Sequence, residues 1–261
     1  MSTSPAPQTV LITGSAAGIG AACARHFADR GWTVVGIDLS ERALPGDLGP
    51  PHIGVVGDVA DEAVWQRAAQ ALGPDRIGAL VNNAALQLEK PLLETTVEEF
   101  RTILDVNVTG MFRGIKFADA HLADGGAIVN MASVLGFTAD PVLGAYSTSK
   151  GAVVQLTRNA ALAFAPRGIR VNAVCPGAVA TPLTTRVWDL SDDPESARRQ
   201  MERLYPSGRI AEPAEIAEVV GFLVGPASRA MTGSLLTADG GLTATNAEFA
   251  LTGGLGSIGA P

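Results

Sequence analysis

Tyr146 and Lys150 stand four residues apart, with Ser133 ahead of them, in a chain of 261 residues that has only two tyrosines. On a helix, residues i and i+4 share a face, so this spacing sets an ammonium beside a phenol. A fixed positive charge there favours the phenolate, and is expected to draw the phenol down from about 10 toward neutral pH. Such a group is an acid/base for the proton of an alcohol or a carbonyl. An incidental pair on a surface helix would have the same spacing, so the rest of the chain must decide between the two.

A second cluster lies near the start. Thr13-Gly14-Ser15-Ala16-Ala17-Gly18-Ile19-Gly20 follows a short apolar run and opens a helical stretch. Glycines there let the backbone turn tightly and approach a pyrophosphate, whose charge a helix N-terminus favours. Asp38 ends the next apolar run, 18 residues beyond Gly20. A carboxylate at that distance accepts hydrogen bonds from the ribose 2′-hydroxyl of an adenosine and repels a 2′-phosphate. The loop itself carries no arginine or lysine, so the expected cofactor is NAD rather than NADP.

The elements that must position these residues alternate along the chain. Apolar runs at 9–12, 33–37, 52–56, 79–82, 127–131, 169–174 and 234–238 read as strands. Helices are expected over 18–30, 62–72, 97–123, 145–165 and 213–224. Uniformly apolar strands that alternate with helices imply a parallel sheet covered on both faces. The fold class is α/β, a doubly wound Rossmann-type sheet of about seven strands in one domain spanning 1–261. Residues 182–208 are charged and helix-prone without a strong core stripe, which suits a flap beside a site. The glycine-rich tail, 244–261, reads either as a frayed terminus or as a segment that docks on a neighbouring subunit.

Composition narrows the function classes. Hydrophobic residues make up 47% and charged residues 17%, which argues for a folded globule. A net charge of −7 gives no basic footprint for nucleic acid or an anionic membrane. Cys23 and Cys175 are too few for a disulfide framework, and the N-terminal residues lack the pattern of a signal peptide. A soluble, cytoplasmic protein is expected. His26, His52 and His121 are scattered without ligand spacing, so no metal is expected.

Taken together, these motifs resemble the short-chain dehydrogenases/reductases, from Thr9 to about Thr243. The glycine motif matches Thr13 to Gly20, the adenine-contacting pair matches Asp58-Val59, and Asn82-Asn83-Ala84-Ala85 matches an Asn-Asn-Ala-Gly stretch with its last glycine replaced. Asn107 matches the helix asparagine, Ser133 the active-site serine, and Asp239-Gly240-Gly241 the closing motif. Pro176-Gly177 with Val179 and Thr181 match the segment that holds the nicotinamide carboxamide.

The resemblance implies hydride transfer between NAD(H) and a secondary alcohol or ketone. It makes Tyr146 the acid/base and Ser133 the holder of the substrate oxygen. Lys150 would bind the nicotinamide ribose and lower the phenol's pKa, and Asn107 would keep its helix kinked around a water that links Lys150 to solvent. Contacts to the cofactor are expected from Gly14, Ser15, Ala17, Gly18, Ile19, Gly20, Asp38, Asp58, Val59, Asn83, Ala84, Tyr146, Lys150, Pro176, Gly177, Val179 and Thr181. Walls of the substrate site would come from Leu135, Phe137, Leu143, Ala178, Leu183 and Trp188, with Gln87 and Asp140 as the nearest polar groups. That apolar balance favours a neutral substrate, with cyclic ones among the candidates. Family members commonly form homotetramers, and an apolar stripe at 152–156 fits such an interface or the core. Two alternatives stay open: an NADPH-dependent carbonyl or 3-oxoacyl-type reductase, and a catalytically silent nucleotide-binding scaffold.

Overall fold

Along a strand, successive side chains point to opposite faces, so a strand that is apolar at every position must be covered on both sides. The computed structural model, which describes residues 8–189, 191–246 and 249, has seven strands, and the central ones are largely of this kind. They are β1 (Thr9–Thr13), β2 (Thr33–Asp38), β3 (Ile53–Val56), β4 (Ile77–Asn82), β5 (Leu122–Met131), β6 (Arg170–Pro176) and β7 (Leu235–Ala238). All pairs are parallel, in the order β3-β2-β1-β4-β5-β6-β7. The order reverses between β1 and β4. There the connections leave in opposite directions and open a crevice at the C-terminal edge of the sheet, the general ligand position of this architecture.

Helices cover both faces. Val10, Ile12 and Val34 pack with Cys23, Ala24 and Phe27 of α1 (Gly18–Ala28) and with Ile216, Val220 and Leu223 of α8 (Pro213–Val224). On the other face Leu11, Val35 and Leu80 meet Trp65 of α2 (Glu62–Leu72), Ile115 and Phe117 of α4 (Met111–His121), and Val153, Val154 and Phe164 of α5 (Gly144–Phe164). Val153 and Val154 of the apolar stripe are therefore buried in the chain's own core.

The structure departs from the sequence reading in three places. The helix expected over 97–123 is α3 (Val97–Leu104), then a π-helical segment at Asp105–Gly110, then α4. Strand β5 begins at Leu122, with a register shift against β4 between Ile77 and Ala79. Residues 182–208 hold α6 (Pro182–Asp189) and α7 (Pro194–Glu202), and they do have a small core of their own. Trp188, Tyr205 and Ile210 are buried together, with Ala178, Ala197 and Met201 packed against them.

The three histidines serve three separate places. His26 on α1 lies 3.4 Å from Glu218, His52 accepts the Val34 N–H, and His121 stacks on Phe117. Among the described residues no helix is long and apolar enough to cross a membrane. Leu242–Ala244 form a 3₁₀ turn, and most of the tail at 244–261 lies outside the described residues.

Candidate active site

The glycine loop is built by close approach. A Cβ at Gly20 would sit 1.9 Å from the Gly14 carbonyl oxygen, and one at Gly14, whose φ is +66°, would meet Ala84 and Asn83 at 2.9 Å. Only glycine allows these contacts. Three chain segments lock the loop in place. The Gly14 N–H donates to Ile37 O at 2.7 Å, and the Ser15 hydroxyl donates to Ala43 O. Asn83 Nδ2 donates to Thr13 O and Gly14 O, while the Asn83 and Ala84 N–H groups donate to Thr13 Oγ1.

The dinucleotide that this architecture implies fits the residues present. Helix α1 begins with an extended Ala17, with no side-chain cap and no acidic residue in its first turn. Its N-terminal N–H groups are thus left for an anion rather than taken by a Ser or Asp cap. Asp38, half-buried at the end of β2, accepts the Ala16 N–H at 3.0 Å and the Ser40 N–H at 2.9 Å. The carboxylate is thereby fixed beside the loop, with lone pairs to spare for hydroxyls.

Further segments close around the same crevice. Asp58 accepts the Ala60 N–H, and the buried Val59 packs against Gly110 of the π segment. Pro176 ends β6 beside Ala238, and the Gly177 N–H donates to Ala238 O. Val179 is buried and bridges to Ala211. Thr181 Cγ2 lies 3.1 Å from the Cβ position of Gly18, which brings the end of this segment against the glycine loop. Ile19 packs on the α1–α8 core, while Ala17 is exposed.

Ser133, Tyr146 and Lys150 are all buried. The Ser133 oxygen accepts the Leu135 N–H at 3.2 Å, which caps the turn after β5, and the Ser133 side chain lies close enough to the Tyr146 phenol to favour its ionised form. Lys150 Nζ donates to Met131 O at 2.7 Å and lies 5.3 Å from the centre of the Tyr146 ring. Their titration differs from the sequence expectation. Burial pushes the Tyr146 phenol up to about 12, and the nearby Ser133 side chain only partly opposes it. Burial also pushes Lys150 down to about 8. Removing the phenolate from water costs more than the neighbouring groups of the chain return.

Asn107 sits in the π segment with no solvent exposure. Its Oδ1 accepts the Leu86 N–H at 2.7 Å, and its Nδ2 donates to Leu86 O and to Ser149 Oγ, each at 2.9 Å. The Ser149 hydroxyl in turn donates to Tyr146 O at 2.6 Å. Asn107 therefore ties the segment after β4 to the first turns of α5.

The expected substrate walls are less uniform. Leu135, Leu143, Ala178 and Leu183 are half-buried and Phe137 is exposed, whereas Trp188 is turned into the satellite core. Trp188 packs in the small core under α6 and α7 instead of forming an open wall. Sequence reasoning missed two residues. Tyr205 Oη accepts the Ala178 N–H at 2.7 Å and packs beside Gly177; as one of only two tyrosines it could have been singled out. Ser149 could have been found as a polar residue three positions after Tyr146 on its buried face.

Known proteins resemble the chain in sequence and in fold. A family model described as enoyl-(acyl carrier protein) reductase matches residues 14–243. The chain is 40% identical over 252 residues to a cis-4-hydroxycyclohexanecarboxylate dehydrogenase of Sinomonas cyclohexanicum, covering 92% of this chain and 98% of that one. It is 37% identical over 253 residues to an NADP-dependent (R)-specific alcohol dehydrogenase of Lentilactobacillus kefiri, covering 91% and 97%. A solved short chain dehydrogenase family protein from Francisella tularensis superposes with a TM-score of 0.86 at 31% identity, covering 92% of this chain and all of that one.

Proposed function

The chain belongs to the short-chain dehydrogenase/reductase family, and from that premise we propose that it moves a hydride between NAD(H) and a neutral, cyclic secondary alcohol or its ketone. That it is an oxidoreductase of CH–OH groups follows from its relatives. The finer reading is carried by one observation: Ser133, Tyr146 and Lys150 are buried together at the C-terminal edge of the sheet, beside a loop shaped for a dinucleotide.

When bound, the nicotinamide supplies the hydride acceptor or donor. The protein's own residues handle the proton. Ser133 donates a hydrogen bond to the substrate oxygen, where charge develops during transfer. Tyr146 takes the hydroxyl proton in oxidation and returns it in reduction. Its raised pKa keeps it protonated near neutral pH, so it is a ready acid for reduction. To act as base it needs added positive charge, which Lys150 supplies in part. Asn107 positions Ser149 and the first turn of α5, and the proton leaves along that side toward solvent.

Asp38 supports NAD over NADP, because its fixed carboxylate repels a 2′-phosphate. We propose further that residues 182–208 act as the substrate flap of one domain, and that the subunits form a homotetramer. Exposed Phe112 and Leu162 on α4 and α5 support that assembly. The test is kcat/KM of the full chain across cyclic secondary alcohols with NAD⁺ and with NADP⁺. Turnover with NAD⁺ at least about tenfold above NADP⁺ is expected from one lost charged hydrogen bond and added repulsion. Equal use of both cofactors contradicts the NAD assignment, and turnover of acyl thioesters alone contradicts the alcohol.

A further inference from the structure

A charged pair spans the substrate end. Arg186 on α6 donates from Nη2 to Glu89 Oε2 at 2.9 Å, across 97 positions of sequence. The place of Glu89 is fixed from both sides. Three residues before it, Leu86 is held through its N–H and its carbonyl by Asn107. One residue after it, the Lys90 N–H donates to Val142 O, and Lys90 pairs with Leu143, three residues ahead of Tyr146. Arg186 follows five residues after Thr181, which faces the glycine loop. The pair therefore joins the segment that leads to the start of α5 with the helix that follows the contact on the glycine loop.

Neighbouring charges are already matched. Gln87 Nε2 donates to the other oxygen of Glu89 at 2.6 Å, and Lys90 is paired with Glu99. Asp140 accepts the Val142 N–H. Among the described residues, Glu89 is the one carboxylate in ion-pair contact with Arg186. The pair is half-exposed, with side-chain exposures of 56% for Arg186 and 28% for Glu89. Such a pair adds little to stability. What it changes is charge: one nitrogen of a guanidinium, a group well suited to receive a carboxylate, is already committed to Glu89, and its positive charge is offset there.

We propose that Glu89 determines specificity, holding Arg186 so that the site accepts uncharged cyclic alcohols and turns away the corresponding carboxylates. This rests on the dehydrogenase reading above and names its substrate class. Removal of the Glu89 charge frees the Arg186 fork at the mouth of the site, and a ring carboxylate then takes the place of Glu89.

The test uses cyclohexanecarboxylate and its methyl ester, which carry no hydroxyl to react, titrated calorimetrically into the full chain with NADH present. In the native protein the ester binds more tightly. In Glu89→Gln the carboxylate gains roughly tenfold or more, the size of one charge-assisted hydrogen bond, while the ester changes little. The double variant Glu89→Gln/Arg186→Gln loses that gain. An unchanged carboxylate-to-ester ratio in Glu89→Gln, or a gain that survives in the double variant, overturns the proposal. Parallel kcat/KM values for cis-4-hydroxycyclohexanecarboxylate and its methyl ester separate the two readings. If the native protein oxidises neither, the dehydrogenase reading fails, while the binding ratio still decides the charge selection.

Discussion

At the cofactor end of the crevice, Thr13, Gly14 and Ser15 are gripped by Asn83, Ile37 and Ala43 through buried or half-buried hydrogen bonds, most of them to backbone. At the substrate end, α6 and α7 rest on a small core around Trp188 and Tyr205 and are edged by exposed ion pairs such as Arg198–Glu202 and Arg199–Glu195. The difference teaches where each property resides. Groups proposed to do chemistry are over-determined by the sheet, whereas the proposed substrate flap is held by contacts that are individually weak. Such a flap can change partners without unfolding the site.

The contrast can be broken at its strongest point first. Gly20→Ala places a methyl 1.9 Å from Gly14 O, so the loop must shift. NADH affinity should fall by about 100-fold or more, with roughly 1–3 kcal/mol lost from overpacking, as read by fluorescence titration and denaturant melts. Asn107→Ala removes three hydrogen bonds, two to the part-buried backbone of Leu86 and one to the buried Ser149 Oγ, which still donates to Tyr146 O. A hydrogen bond of this kind contributes about 0.5–1.5 kcal/mol net, so a urea melt should show a loss on the order of 3 kcal/mol. Asp38→Ala should reduce the NAD-over-NADP ratio in kcat/KM by about tenfold; an unchanged ratio removes Asp38 from cofactor choice.

The flap supplies the smaller effects. Trp188→Ala empties the satellite core, yet α6 and α7 lie outside the two clusters that cover the sheet. KM should rise several-fold while the global melt moves by only about 1 kcal/mol, as expected for a locally opening segment. A loss as large as that of Asn107→Ala would erase the distinction between the two regions. Charge sharpens the same comparison. Lys150 keeps its proton below its folded pKa and loses it as pH rises through about 8, while Tyr146 stays protonated to about 12. Reduction needs both protons in place, so reductive kcat/KM should decline as pH rises through about 8. A flat profile there would mean that the Lys150 charge does not matter.

How much of this was legible in the sequence follows the same divide. Tyr146, Lys150 and the glycines of 14–20 lie in short segments whose spacing alone places them on one helix face or in one turn, whereas the role of Ser133 came only with the family resemblance. The strands were equally plain, because apolar runs punctuated by turns leave little choice. The π segment at Asp105–Gly110 was hidden from the apolar pattern, since one extra residue per turn barely changes it in a long helix, and only the resemblance, through Asn107, implied a kink there. The rise of the Tyr146 pKa was also hidden, because burial is a tertiary property, while the i,i+4 spacing displays only the favourable charge. Trp188 with Tyr205 and Glu89 with Arg186 are pairings across folded segments that no local spacing announces.

The central claim is that the buried Tyr146 moves the proton in a site whose cofactor cradle is built independently of it. Tyr146→Phe keeps the ring and its burial and removes only the hydroxyl. Single-turnover hydride transfer with NADH, followed beside a fluorescence titration of NADH binding, reads the two separately. The account predicts near-native NADH affinity and transfer slowed by roughly 10³-fold or more, the scale of a lost general acid. Transfer within about tenfold of the native rate, below the smallest usual effect of such a group, would contradict it.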